Sequence, residues 1–193
     1  MLFRGYTADL SVRGDGRTVY GYAVPYDTDA IVNDGFGDYA ERFTRGAFRN
    51  VVKQAHRVKF QPSHDEDFLS WLGNATLLRE EQRGLYGEFQ VDSSPRGQHL
   101  VYKIRDGQLP GLSVGYVPSD KQSHNVLSIR DSDGAQRITR SLVKQLVHVA
   151  AVAEAAYPTM EPLAVRQAVR EQSSVERWRE WRATLMVNGD DRT

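Results

Sequence analysis

The chain has 193 residues, 40% of them hydrophobic, with nine Tyr, seven Phe and three Trp; that is enough for the core of one domain, and the aromatic share suits a β-rich interior. Its 25 Lys and Arg balance 25 Asp and Glu, so the formal net charge is zero, which argues against nucleic-acid binding, where a basic excess or stripe is usual. Cysteine is absent, excluding disulfides, thiolate zinc sites and a Cys nucleophile.

The opening stretch "MLFRGYTADLSV" holds no long apolar run, so neither a signal peptide nor a membrane span is expected, and the chain reads as soluble and intracellular. Residues 2–12 and 17–24 flank "RGDGR"; Asp15-Gly16 predicts a hairpin that pairs them. "PYDTDAIVNDGFGD" (25–38) is turn-rich and predicts a long loop. "TRGAFRNVVKQA" (44–55) predicts a short helix capped by Thr44, with Phe48, Val51, Val52 and Ala55 on one face. A strand over 57–61 ends at Pro62, and 68–78 and 84–91 form a hairpin across "REEQR". "SSPRGQHLVYKIRDGQL" (93–109) has a Ser94 cap, Pro95 at the first helical position, a Leu100, Val101 and Ile104 stripe, and Gly107 as the stop. "GLSVGYV" (111–117) is strand-like and bounded by Pro118, and 119–125 is a polar loop. "VLSIR" and "RITRSLV" form a hairpin around Asp133-Gly134, and "LVHVAAVAEA" (146–155) is a buried strand. Val175, Trp178, Trp181 and Leu185 give 161–187 the apolar stripe of a helix. Many short strands with a few helices predict an α+β, mainly β domain or barrel rather than a doubly wound sheet.

Gly111-Leu112-Ser113-Val114-Gly115 matches G-x-S-x-G, the letters of a nucleophile elbow. That elbow needs a strand before the serine and a helix after it. Here a helix precedes, and "VGYVP" favours a strand that Pro118 ends. The order Ser, Asp, His is met by Ser113, Asp131 or Asp133, and His148, but both aspartates fall in a turn, where they are ordinary. On these letters alone a plain strand serine between glycines is favoured over a nucleophile.

A serine hydroxyl needs a base, usually histidine. His99 sits on the polar side of a helix, His124 in a polar loop, and His56 at a helix end where a cation suits the dipole. His64, in "FQPSHDEDFLSWLG", follows a strand and a proline, a position both held and open. Asp65, Glu66 and Asp67 beside it raise a hard-metal reading, which lacks a second ligand cluster; no metal or cofactor is expected. His148 stands among Leu146, Val147, Val149 and Val152. A polar group there must find a partner, either backbone in the core or a reacting group.

In order, "GYAVPYD" (21–27), "ERFTRGAF" (41–48), "SHDED" with Leu72-Gly73 following, Gly84-Leu85, the helix ending at Gly107, "GLSVGY" (111–116) and an apolar strand running to "YP" (157–158) resemble the prohead serine proteases of tailed phages, related to the herpesvirus assemblins. The resemblance runs from about residue 3 to 166. It implies a closed or partly closed, antiparallel-rich β-barrel with peripheral helices, herpesvirus-protease-like, over 1–160, with 161–193 as a helical tail. It also implies His64 as base and Ser113 as nucleophile. Phage relatives carry a glutamate as third residue, where "LVHVAAVAEAAYP" places His148, so the arrangement resembles the assemblin Ser-His-His; Glu154 or another acid is the alternative.

The function so implied is a serine endopeptidase cleaving the scaffold, or the scaffolding extension of the major capsid protein, inside the assembling procapsid in the host cytoplasm. A homodimer is implied, with no nucleic-acid or membrane partner. Backbone amides around Glu154 to Tyr157 are the oxyanion candidates. Gly111 and Gly115 are expected to clear room for substrate backbone. A neutral His148 stabilises an imidazolium less than a carboxylate does, so a slower enzyme than a Ser-His-acid relative is predicted. The tail suits scaffold binding, self-cleavage or a packing helix. The competing readings are a catalytically inactive capsid-assembly protein on a protease fold, kept open by His148, and a small esterase, disfavoured by Pro118 and the chain order.

Overall fold

A computed structural model of the protein describes residues 1–7, 10–33, 38–64, 68–129 and 136–153, all within one compact unit, Met1–Pro158. The strands are β1 (Leu2–Thr7), β2 (Ser11–Val12), β3 (Thr18–Pro25), β4 (Ala30–Asn33), β5 (Asp38–Phe43), β6 (Lys59–Gln61), β7 (Gly73–Glu80), β8 (Gly84–Val91), β9 (Gly111–Pro118), β10 (Asn125–Ile129), β11 (Gln136–Arg140) and β12 (Val143–Val152). One α-helix, α1 (Pro95–Arg105), stands among the described residues. The larger sheet runs β1-β9-β12-β6-β7-β8-β3-β2 and the smaller β10-β11-β5-β4. Pairing is antiparallel except for β12 with β6 and β11 with β5. The larger sheet curls into half a barrel, bringing β3 against β9. β1 and β2 end its order, so no strand pair among the described residues closes it.

The core lies inside this curl. Phe43, Phe48, Phe60, Phe89, Leu85, Leu112 and Tyr116 are fully buried, each contributing about 1.5–3 kcal/mol through removal from water. Phe60 stacks on Phe89 at 4.7 Å, and Phe43 meets the edge of Tyr116 at 5.3 Å. A buried ionic cluster joins the two sheets: Glu41 of β5 accepts from Arg4 of β1, from Arg140 Nε of β11 at 2.7 Å and from the Tyr116 hydroxyl of β9 at 2.8 Å. Burial, then the Glu41 charge, raises the Tyr116 hydroxyl far above its usual pKa, so it stays a donor.

Several predicted elements form as expected. α1 is capped by Ser94, whose hydroxyl accepts from the Gly97 amide at 3.1 Å, and it is followed by Gly107 at φ 72. The β7–β8 and β10–β11 hairpins form. The first hairpin forms only in part: β2 pairs with β3, whereas β1 leaves to pair with β9. The long loop 25–38 contains strand β4, and β7 begins at Gly73, after a 3-10 turn over Phe68–Ser70. No α-helix forms over 44–55. Gly46 takes φ +93 and the Phe48 amide donates to Glu80 Oε1 at 2.8 Å instead of to a helical carbonyl; a 3-10 stretch, Val52–Arg57, follows, broken at Gln54. The apolar spacing there still buries Ala47, Phe48 and Val51. The predicted tail over 161–193 lies outside the described residues.

Candidate active site

β9 lies between β1 and β12 in the larger sheet. Its register against β1 and β12 puts Leu112, Val114 and Tyr116 on the core face and Ser113 and Gly115 on the other. Gly5 of β1 and Ala150 of β12 lie directly opposite Ser113. The nucleophile candidate thus rises from a floor of small residues.

His148 reaches the same face through a β-bulge. Leu146 pairs with Tyr116 and His148 with Gly115, leaving Val147 as the extra residue. Plain alternation from Leu146, a core residue, would turn His148 into the core; the bulge re-aims it. β6 brings the second histidine, His64. Its last residue, Gln61, pairs with Ala150; then Pro62 breaks the ladder and the chain turns to His64. The Gln61 side chain, fully buried, donates from Nε2 to the Ser63 carbonyl and ties this turn to the sheet.

The three side chains meet. His64 Nε2 lies 2.6 Å from Ser113 Oγ, and His64 Nδ1 lies 2.7 Å from His148 Nε2. Ser113 is 4% and His148 3% exposed. Burial pushes the His148 pKa down, because a low-dielectric site disfavours the imidazolium. A neutral His148 accepts at Nε2 from a His64 Nδ1–H, which leaves His64 Nε2 as the acceptor for the serine proton. These contacts are the geometry that a serine–base–orienter relay requires.

The other histidines stay apart: His56 and His99 are exposed, and His124 pairs with Ser119 Oγ at 2.8 Å. Asp65 to Asp67, Asp131, Asp133 and the Glu154 to Tyr157 segment lie outside the described residues. Among the described residues no group of three or more His, Cys, Asp or Glu could hold a metal, and no helix is long and apolar enough to cross a membrane. Two contributors escape local sequence reasoning. Phe3 packs on His64 with ring centroids 4.3 Å apart, and Gln61 holds the turn. Phe3 sits 110 residues from Ser113 in the chain, so only the β1–β9 pairing reveals it. Gly115 departs from expectation, for its face is filled by the His148 ring and is not open to substrate.

Among solved structures, the capsid assembly protease gp21 of bacteriophage T4 is similar, with a TM-score of 0.52 at 14% identity, covering 78% of this chain and 96% of that one; at that identity the likeness speaks for the fold. No curated relative matches. The family model described as caudovirus prohead serine protease matches residues 7–174. That span takes in the strands and the turn on which Ser113, His64 and His148 meet, and the chain belongs to the caudovirus prohead serine protease family.

Proposed function

We propose that the protein is a serine endopeptidase of phage prohead maturation with Ser113 as nucleophile, His64 as general base and acid, and His148 as the third member. The observation that carries this reading is the unbroken relay from Ser113 Oγ through both nitrogens of His64 to His148, with contacts of 2.6 and 2.7 Å. Ser113 attacks a peptide carbonyl as His64 Nε2 takes its proton; His64 then protonates the leaving amine, and water repeats the cycle on the acyl-enzyme. His148 holds the tautomer throughout. As a neutral acceptor it stabilises the imidazolium less than a carboxylate, charge-assisted bonds being about twice as strong, so turnover is slower than in a Ser-His-acid relative.

The substrate in this reading is the scaffold or the scaffolding extension of the major capsid protein, met within the procapsid in the host cytoplasm. The family and the likeness to a capsid assembly protease support that choice. A homodimer, a herpesvirus-protease-like closure of the half barrel, and oxyanion donors within 154–157 complete the proposal. The test is fluorophosphonate labelling with mapping of the adduct. Wild type labels at Ser113, Ser113→Ala does not, and His64→Ala labels at least about 10³-fold more slowly. Absence of labelling in every assembly state would instead favour the inactive assembly protein.

A further inference from the structure

Phe3, Gly115 and His148 stand in one row across β1, β9 and β12, each directly opposite the next. Adjacent strands lie about 4.8 Å apart, so upright side chains on β1 and β12 would stand roughly 10 Å apart. Instead, the Phe3 and His148 ring centroids are 5.8 Å apart at 29°. The rings lean together over the middle strand, which the glycine permits. A Cβ built on Gly115 would lie 2.5 Å from His148 Cε1, 2.6 Å from Nε2 and 3.0 Å from Nδ1. Three ring atoms contend with one methyl, so the imidazole lies on the glycine backbone.

Backbone conformation gives no other reason for a glycine there, since the positive-φ glycines among the described residues are Gly16, Gly46 and Gly107. Nor can the ring easily yield. It is 3% exposed, its Nε2 is 2.7 Å from His64 Nδ1, and the bulge at Val147 sets its root. Phe3 closes the side of the same pair, 4.3 Å from His64 at 43°. An aromatic ring leaning over a strand glycine covers backbone that would otherwise be wet, and a drier surround strengthens the bond between the two imidazoles.

The geometry points to Gly115 and Phe3 as positioning residues: together they form the slot that holds the His148 imidazole against His64, and so His64 against Ser113. The assignment rests on the Ser-His-His reading above, yet one of its readouts does not depend on activity. A double-mutant cycle separates it from plain packing or substrate clearance. Gly115→Ala and His148→Ala should each slow fluorophosphonate labelling about 10²-fold, the order expected for misplacing a reacting group by an ångström. The double variant should be no slower than His148→Ala, because the ring that clashes is gone. Losses that multiply would overturn the proposal, since Gly115 would then act on the substrate or the backbone. Should Gly115→Ala fail to fold, rescue of folding by His148→Ala supports the slot and failure of rescue refutes it.

The second readout is the downfield proton resonance of the His64–His148 bridge. It should vanish or shift in Gly115→Ala and Phe3→Ala and persist in Phe3→Tyr, which keeps the ring. An unchanged resonance in both alanine variants sinks the slot whatever the labelling shows. A slot-sensitive resonance in a protein whose Ser113 never labels would leave the slot standing and defeat the enzymatic reading.

Discussion

At the scale of the residue, the site depends on a histidine kept uncharged by burial. His148 has its pKa lowered by desolvation, and its unfolded value is about 6.5. Below that pH the unfolded chain binds a proton that the folded chain resists, so folding loses stability as pH falls from about 7 into the acid range and regains it above. Urea midpoints of the wild type should drop between pH 8 and pH 5.5, whereas His148→Asn should flatten that part of the decline. An equal decline in both would mean that other groups carry it. Ser113, at 4% exposure, has only small residues, Gly5 and Ala150, directly opposite it on the neighbouring strands.

At the scale of the element, a short strand and its exit turn place His64. β6 has three residues, and Gln61 at its end both pairs with Ala150 and donates to the Ser63 carbonyl. Gln61→Leu keeps the buried volume and removes that donor. A lost hydrogen bond costs about 1 kcal/mol, so labelling of Ser113 should slow roughly fivefold, with far-ultraviolet circular dichroism unchanged; labelling at the wild-type rate would show that the tether does not position His64. The cap of α1 is a separate, purely structural case. Ser94→Ala should cost about 1 kcal/mol of stability, read as a shift in the urea midpoint, and leave labelling as it was. The β12 bulge shows how an element can overrule its own alternation: Leu146 is in the core, yet His148, two residues on, faces the site.

At the scale of the whole molecule, the stretches that carry the family likeness act mostly as frame. Glu41 of "ERFTRGAF" ties the small sheet to the large one through Arg4, Arg140 and Tyr116. Glu80 Oε1 accepts from the Phe48 amide at 2.8 Å and from the Tyr26 hydroxyl of "GYAVPYD" at 2.9 Å. Removing one partner of a buried ionic cluster typically costs about 3–5 kcal/mol, because the remaining charges lose their compensation. Glu41→Ala should therefore lower Tm by on the order of 10 °C while Ser113 still labels at temperatures well below that transition. A Tm within a degree or so of wild type would show that the cluster is dispensable.

The local patterns of the chain determined much by themselves. β-rich content follows from its aromatic and β-branched runs, and β8, β9 and α1 stand within a residue or two of their predicted bounds apart from the flanks of the helix, because cap, proline and glycine act over a few residues. Ser113, His64 and His148 were each legible as candidates: a serine between glycines, a histidine after a strand-ending proline, and a polar group in an apolar run. The helix over 44–55 failed because Glu80, far along the chain, takes the Phe48 amide. Only the tertiary structure decided that β1 pairs with β9, that Phe3 roofs the histidines, that a bulge turns His148 toward them, and that Gly115 is bare because an imidazole occupies its place. Periodicity says which face of a strand is apolar. It does not say which distant strand lies alongside, and every contact of the slot depends on that choice.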